Sequence, residues 1–186
     1  MKIWGLLLLG ITVTCAFAQT PLPPKHSANA TSVSMGLQSV RDMVNAQGEI
    51  SYTMISKSAV DGSVVEDHYT VETSHAVAHT DSCSLEVEAK MTMNGVMQRQ
   101  GRVAIPFRPV TGVAVKSQTD AINEHSAKAG VTAWTGKIAP ESYMVQTLQS
   151  GTLSGILFFR ERAAAEEAAK TISRIVEQCG GVKVSF

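Results

Sequence analysis

Three side chains of types that bind zinc lie close together in the sequence, at His75, His79 and Asp81. Imidazole and carboxylate groups are common zinc ligands. On a helix, the four-residue step would place the two histidines about 6 Å apart. On a strand, the same step separates them by roughly 13 Å, which leaves His79 and Asp81 as the pair that can share an ion. Because the flanking pattern predicts a strand, we expect no metal site here.

Two carboxylates, Glu86 and Glu88, have the types needed for acid–base catalysis. They alternate with Leu85 and Val87 and precede Lys90, which is typical of the solvated face of a strand. The sequence contains no phosphate-binding loop, dinucleotide-binding glycine motif, His-Glu-x-x-His or Ser-x-x-Lys motif. We therefore predict no catalytic residue and no cofactor, and the sequence favours a protein that is not an enzyme.

Three aromatic side chains, Phe107, Trp134 and Tyr143, are candidates for lining a ligand pocket. Aromatic residues make up 5% of the chain, so the same three residues are more simply explained as core or anchor positions. Both interpretations stay open at the level of sequence.

Residues 1–18 have the organisation of a secretory signal peptide. Lys2 precedes an apolar run from Ile3 to Val13, and Ala16-Phe17-Ala18 matches the small-x-small cleavage pattern. The run is shorter than the roughly 20 apolar residues that a membrane-spanning helix needs. We predict cleavage before Gln19, export to the periplasm or the cell exterior, and no stable membrane insertion.

The rest of the chain divides into a tether and one domain. Residues 19–31 contain three prolines and no periodicity, and they are predicted to be a flexible tether. Residues 32–186 are long enough for a single domain with its own core. The full chain has 16 Lys and Arg and 16 Asp and Glu residues, so loss of Lys2 leaves a formal charge near −1. This balance predicts no nucleic-acid partner.

Two amphipathic helices are predicted, one near each end of this domain. The apolar stripe of the first consists of Val33, Leu37, Val40 and Val44. The stripe of the second consists of Ala165, Ala168, Ala169, Ile172, Ile175, Val176 and Cys179. Gly180 and Gly181 can then end the second helix. Each stripe needs an apolar surface to cover it.

Between the helices, a period of two predicts about seven strands. The clearest one places Cys83, Leu85, Val87, Ala89, Met91 and Met93 on one face. Asn94-Gly95 predicts a hairpin turn after it, and we expect a bulge at Gly101 or a three-residue loop to keep the next strand in register. Residues 119–130 fit either a helix or a loop. The order predicts an α+β fold with an antiparallel sheet.

The chain from Leu153 to Gly181 resembles the C-terminal part of a group of small exported bacterial proteins of unknown function. The shared features are a last strand with the paired aromatics Phe158 and Phe159, an Ala-rich helix and the ending Cys-Gly-Gly. The resemblance covers about 30 residues. It implies a pleckstrin-homology-like (PH-like) barrel of about seven strands with the C-terminal helix at one open end. The predicted N-terminal helix departs from this pattern, and a sandwich with both helices on one sheet face is the alternative.

Cys83 and Cys179 are predicted to form a disulfide. They are the two cysteines that remain once the signal peptide is removed, and export places them in an oxidising compartment. Each lies on the predicted apolar face of its own element, so a helix that covers the sheet can bring the two together.

Three functions are compatible with these patterns. The first is an exported, non-catalytic binding or scaffold domain for an unknown protein partner, with self-association left open. The second is a carrier of a hydrophobic small molecule or lipid in the barrel interior, lined by Tyr52, Met54, Leu85, Val87, Met91, Val103 and Ile105. The third is a small exported hydrolase. The volume of the interior separates the first two, because a cavity filled at normal packing density holds no ligand.

Exported protein is expected to begin at Gln19, because the signal peptide is removed after Ala18. N-terminal sequencing of protein recovered outside the cytoplasm checks this cleavage site. Material that still begins at Met1, or that carries a lipid on Cys15, would contradict the prediction.

Overall fold

The computed structural model describes residues 27–47, 49–128 and 134–184. Within these ranges the chain forms three helices and eight strands. The elements are α1 (Ser27–Gln47), β1 (Glu49–Ser58), β2 (Val64–His79), β3 (Ser84–Met93), β4 (Val96–Pro106), β5 (Gly112–Ser117), α2 (Gln118–Lys128), β6 (Trp134–Ala139), β7 (Tyr143–Gln149), β8 (Thr152–Phe159) and α3 (Arg162–Gln178).

The first helix begins earlier than the sequence predicts. Residues 27–31, the last five of the predicted tether, form the first five residues of α1. The prolines end at Pro24, and Ala28 and Ala30 favour helix once no proline interrupts it. The predicted signal peptide and residues 19–26 of the tether lie outside the described residues. The segment at 119–130, which the sequence leaves undecided, is helical as far as Lys128.

The strands form two antiparallel sheets, with the orders β4-β3-β2-β1-β6 and β5-β7-β8. This confirms the α+β class and the antiparallel pairing. The PH-like barrel of about seven strands is not confirmed, since the described residues form two separate sheets and no closed barrel. Pro106 is the last residue of β4, and the chain then turns through Phe107 and Val110 into the second sheet.

One hydrophobic core joins the two long helices to both sheets. The predicted stripe of α1 is buried, with each of its four residues 6% exposed or less. The α3 stripe is buried from Ala165 to Val176. The two helices also pack on each other at Gly36, where a Cβ atom would lie 2.9 Å from Cγ1 of Ile175. Glycine at this position therefore permits the close approach of α1 and α3.

The hairpin between β3 and β4 keeps its register in a different way from that predicted. The turn has two residues, Asn94 and Gly95, both at positive φ. The pairing shifts between Met91 and Thr92, so that Gln98 is the extra residue of the bulge. The predicted bulge at Gly101 is wrong, because Gly101 pairs regularly with Ala89. A bulge closer to the turn corrects the register before the core-facing residues of β4 begin.

The two sheets approach each other closely where β8 passes β4. A Cβ atom on Gly155 would lie 2.8 Å from Cγ2 of Ile105 and 2.8 Å from Oγ1 of Thr147. Ile105 is completely buried at this point. The contact between Ile105 and Gly155 therefore requires that position 155 has no side chain.

The predicted disulfide between Cys83 and Cys179 is present, with the two Cα atoms 6.3 Å apart. Cys83 lies just before β3, and Cys179 follows the last turn of α3. The bond thus ties the end of the C-terminal helix, which packs on α1 and the second sheet, to the start of β3 in the first sheet.

Reduction of the disulfide is expected to lower the free energy of unfolding by about 4–5 kcal/mol, because it releases a loop of almost a hundred residues in the unfolded chain. Urea unfolding with and without reductant measures the change. The double variant Cys83→Ala/Cys179→Ala is the control and should match the reduced protein. Equal urea midpoints for the oxidised and reduced protein would contradict the prediction.

Gly155→Ala is expected to destabilise the protein by about 1–3 kcal/mol, because the added methyl group has no room beside Ile105 and Thr147. Gly101→Ala is the matched control, since a Cβ atom there meets nothing within 4 Å. The control should be neutral, or stabilising by about 0.5–1 kcal/mol. Thermal unfolding of both variants checks the difference, and equal effects would show that the contact is not tight.

Candidate functional site

An apolar cleft with a volume of about 250 Å³ lies between the two sheets. Its floor is the inward face of β2 and β3, and its walls are β4 on one side and β8 on the other. We call it the β4–β8 cleft. It is lined by Val71, Thr73, Val87, Ala89, Lys90, Met91, Arg99, Val103, Ile156, Leu157 and Phe158.

The alternation of each strand explains which residues reach the cleft. Val87 and Met91 share the inward face of β3, and Val103 and Arg99 are their partners on β4. Gly101 lies between these two β4 residues and therefore faces the same way. A Cβ atom on Gly101 would meet nothing within 4 Å. The absence of a side chain at position 101 thus enlarges the open space beside β4.

The cleft is closed at one end and positively charged at the other. The Ile105–Gly155 contact closes the end near the core. At the far end, Arg99 lines the opening, whereas the Lys90 side chain lies on the opposite face of the sheet beside its strand neighbour Glu72. Lys90 Nζ lies 3.4 Å from Oε2 of Glu72, whereas Arg99 has no ion-pair partner among residues 49–128 and the other described ranges. The mouth therefore carries one cation that is not neutralised by a carboxylate.

The outer edge of β4 has backbone groups that no described strand pairs with. The N–H group of Phe107 donates to the carbonyl of Cys83 at 2.9 Å, so these two residues form a hydrogen-bonded pair. Since such pairs alternate along an antiparallel ladder, the N–H and C=O groups of Gln100, Arg102 and Ala104 point away from β3. Pro106 follows the same alternation, and its missing N–H costs no bond there.

The opposite edge of the same sheet is covered. The N–H group of Gly136 donates to Oδ1 of Asn123 at 2.9 Å, and the Asn123 amide donates back to the Gly136 carbonyl at 3.0 Å. The N–H group of Ile138 donates to Oγ1 of Thr119 at 3.0 Å. Helix α2 thus satisfies the edge of β6 with side chains, while the edge of β4 has no such cover in the described part of the chain.

A neutral aromatic pair extends the inward face of the sheet beyond the cleft. Tyr52 and Tyr69 stack with ring centroids 5.4 Å apart. Burial raises the pKa of Tyr52 to about 12, with a smaller contribution from Tyr69, and a hydrogen bond from Gln118 opposes the shift. Burial also raises the pKa of Tyr69. Both phenols are neutral at neutral pH, and the charge on this face of the cleft comes from Arg99.

Only some of the residues predicted to line a carrier cavity lie in the β4–β8 cleft. Val87, Met91 and Val103 line the β4–β8 cleft. Leu85 and Ile105 are completely buried in the core instead, because α3, α1 and the second sheet cover that end of β3 and β4. Tyr52 and Met54 are not among the lining residues. The prediction of a ligand inside a barrel is thus replaced by an open cleft beside an edge strand.

The predicted aromatic pocket residues do not contribute to the cleft. Phe107 is completely buried. Tyr143 packs against the core and lines a separate depression with Val115 and Arg162. Trp134 begins β6, and its side chain lies outside the described residues.

The weak metal candidates lie on the exposed rim of the first sheet. His79 Nε2 is 4.0 Å from Oε2 of Glu86, and Asp81 is exposed in the turn before β3, where its carbonyl accepts a hydrogen bond from Arg108. His75 lies in a bulge of β2 at positive φ and contacts Glu88 at 3.5 Å. Across the described ranges, no group of three or more His, Cys, Asp or Glu side chains is placed to hold a metal ion.

The sequence reasoning missed the open edge, although β4 carries its signals. Pro106, Gly101 and two arginines within eleven residues are typical of an edge strand and not of a central one. These residues indicate an edge strand only once it is known that no described strand lies beyond β4. The local sequence pattern does not contain that information.

None of the described helices is long and apolar enough to cross a membrane. Comparison of the chain with protein-family models, curated proteins and solved structures gives no match.

Proposed function

We propose that this protein is an exported, non-catalytic binding domain that takes up an extended segment of a partner protein by adding it to β4. The observation that carries the proposal is the uncovered edge of β4 beside the apolar β4–β8 cleft. Strand addition of this kind draws affinity from backbone hydrogen bonds and specificity from pockets for alternate side chains.

The backbone part of the recognition comes from Gln100, Arg102 and Ala104. Their outward N–H and C=O groups lie on one edge, and a strand placed there can pair with all three residues. Each hydrogen bond contributes only about 0.5–1.5 kcal/mol net, because the groups are otherwise bonded to water. Backbone pairing therefore aligns the segment but leaves most of the affinity to side chains.

The side-chain part comes from apolar surface that is still accessible. Val103 is 45% exposed although it faces the cleft. Ile156 and Phe158 on the opposite wall are half-buried. A segment that covers them gains about 25 cal/mol for each Å² of apolar surface removed from water. The cleft thus supplies the hydrophobic contribution that an edge strand alone lacks.

The structure limits the length of the added strand. The bulge at Gln98 interrupts regular pairing at one end of β4. Pro106 interrupts it at the other end, since it has no N–H group to donate. Regular pairing is therefore confined to residues 99–105, and the segment needs about five to seven residues in extended conformation.

Self-association through the same edge is disfavoured by charge. Two-fold pairing of β4 with a second copy would bring Arg99 and Arg102 from both chains onto one short ladder. Like charges on neighbouring strands destabilise a sheet. A different partner, with carboxylates where this chain has arginines, fits the edge better.

The disulfide supports the exported setting of the proposal. Cys83 and Cys179 are bonded in the structure, and structural disulfides persist mainly in secreted and periplasmic proteins.

Carriage of a hydrophobic small molecule is the second candidate, favoured by the apolar lining of the cleft. The volume of about 250 Å³ is below the roughly 300–1,000 Å³ of most small-molecule sites. A segment that occupies the cleft with one or two side chains fits this volume better than a complete lipid. Nothing in the described residues favours the third sequence-based expectation, a small hydrolase.

Arg102→Pro is expected to weaken binding of an extended peptide about tenfold or more, because it removes the central outward N–H group of β4. The stability should change little, since that N–H group does not bond to β3. The peptide is first selected from a displayed library of random twelve-residue segments. Arg102→Gln is the matched control, because it removes the same charge and keeps the N–H group.

Amide chemical shifts locate the peptide, and the signals of Gln100, Arg102 and Ala104 should change most. Equal affinity of the Arg102→Pro and Arg102→Gln variants would refute strand addition. If Arg102→Pro does not fold, Ala104→Pro with Ala104→Thr as control tests the neighbouring outward N–H group. Octanoate binding by both Arg102 variants, without selection of any peptide, would favour the small-molecule carrier.

A further inference from the structure

We infer that the bound segment carries the pattern apolar-x-bulky apolar-x-acidic, with its bulky residue opposite Gly101 and its carboxylate beside Arg99. This inference rests on the proposed strand addition to β4. It specifies the chemistry of the partner, which the uncovered edge alone does not.

The register of the added strand follows from the alternation of side chains between the two faces of the sheet. A strand that pairs with the outward groups of Gln100 and Arg102 places the side chains opposite Arg99, Gly101 and Val103 on the cleft side. The side chains between them point to the opposite face of the sheet, where Arg102 and Glu86 already form an ion pair at 3.5 Å. Three alternate residues of the segment therefore determine its fit to the cleft.

The open space beside Gly101 favours a large side chain at the opposite position of the added strand. Gly101 is the one inward position of β4 between Arg99 and Val103, and a Cβ atom there meets nothing within 4 Å. Its partner on the neighbouring strand β3 is Ala89, which is also small. A bulky apolar side chain opposite Gly101 can extend over this pair toward Phe158. Glycine in a strand often marks such a close approach by another chain.

Arg99 calls for a carboxylate. It lines the mouth of the cleft and has no ion-pair partner within the described ranges. The neighbouring cation Lys90 lies on the opposite face of the sheet, where it is paired with Glu72 at 3.4 Å. β4 contains two arginines and no acidic residue, so the added strand faces a positive edge. An acidic side chain opposite Arg99 neutralises this charge, and a basic one is repelled.

The direction of the segment follows from the geometry of the sheet. Every strand pair in the described structure is antiparallel, and antiparallel pairing is slightly more stable per residue than parallel pairing. An antiparallel segment meets Val103 first, then Gly101 and then Arg99. The apolar residue therefore comes first and the acidic residue last.

The pattern is tested with the peptide acetyl-Ser-Val-Thr-Phe-Thr-Glu-Ser-amide and the complete exported chain. A version with Lys in place of Glu should bind about three- to fivefold more weakly, as expected for an exposed ion pair. Arg99→Glu should reverse this preference. Arg102→Glu is the matched control, because it changes the net charge equally but lies on the other face, and it should leave the preference for Glu unchanged.

The position opposite Gly101 is tested in the same titrations. Replacement of Phe by Ala in the peptide should weaken binding about tenfold, because less apolar surface is buried. Gly101→Leu should remove most of the difference between the two peptides, since its side chain fills the space that Phe would occupy. Gly101→Ala should retain the difference and serves as the control.

The outcomes separate the inference from the proposed function. If the wild type binds the Glu and Lys peptides with equal affinity, and Arg99→Glu also shows no preference between them, the assignment of the carboxylate is wrong. Loss of peptide binding in Arg102→Pro would still support strand addition in that case. If Gly101→Leu keeps the full preference for Phe, the assigned register is wrong. If neither peptide binds and no library peptide requires the N–H group of Arg102, both the inference and the proposed function are wrong.

Discussion

The contact between Ile105 and Gly155 is the constraint on which the geometry of the cleft depends. It holds β4 of one sheet against β8 of the other at a distance that only glycine permits. In the described part of the chain, β4 continues past this point paired only with β3, and the cleft occupies the space between β4 and β8. The same contact that completes the core therefore also determines where the core stops and an accessible apolar surface begins.

The two edges of the five-stranded sheet differ in whether their unpaired backbone groups are covered. Unpaired backbone groups on an edge strand attract further strands, and proteins usually cover or interrupt such edges. Asn123 and Thr119 of α2 do this for β6 by hydrogen bonding to its outward N–H groups. On β4, the bulge at Gln98 and the proline at position 106 only shorten the edge. What remains is a short stretch that can pair with one extended segment and is too limited for extensive aggregation.

The cleft has an apolar interior and a positively charged mouth. The neighbouring Tyr52 and Tyr69 phenols are neutral, with burial raising the pKa of each further above neutral pH. The net formal charge of the whole chain is zero, so the positive character of β4 is local. Arg99 has no ion-pair partner among the described residues, and in the proposed strand addition it would select the sign of the charge on an incoming segment.

Local patterns were sufficient for the elements and for the disulfide. The α1 and α3 stripes, the alternation of β3 and the Asn94-Gly95 turn depend on neighbours within a few residues, and the two cysteines each occupy the apolar side of such an element. For α1, α3 and β3, the sequence by itself therefore determined the type of element and the face that is buried, whereas it left residues 119–130 undecided between helix and loop. It also determined the α+β class, because the order of helices and strands excludes parallel βαβ units.

The tertiary structure alone decided how the strands are divided between two sheets, which edge α2 covers, and where the cleft opens. Gly101 and Pro106 show why. Within a strand, a glycine indicates a bulge, which is the interpretation that the local pattern favoured for Gly101, and a proline is compatible with either the end of a strand or an edge position. Their actual roles depend on whether another strand lies beside them, and that is set by contacts between residues far apart in the chain. Sheet edges and the clefts beside them are properties of these long-range pairings, so no local periodicity contains them.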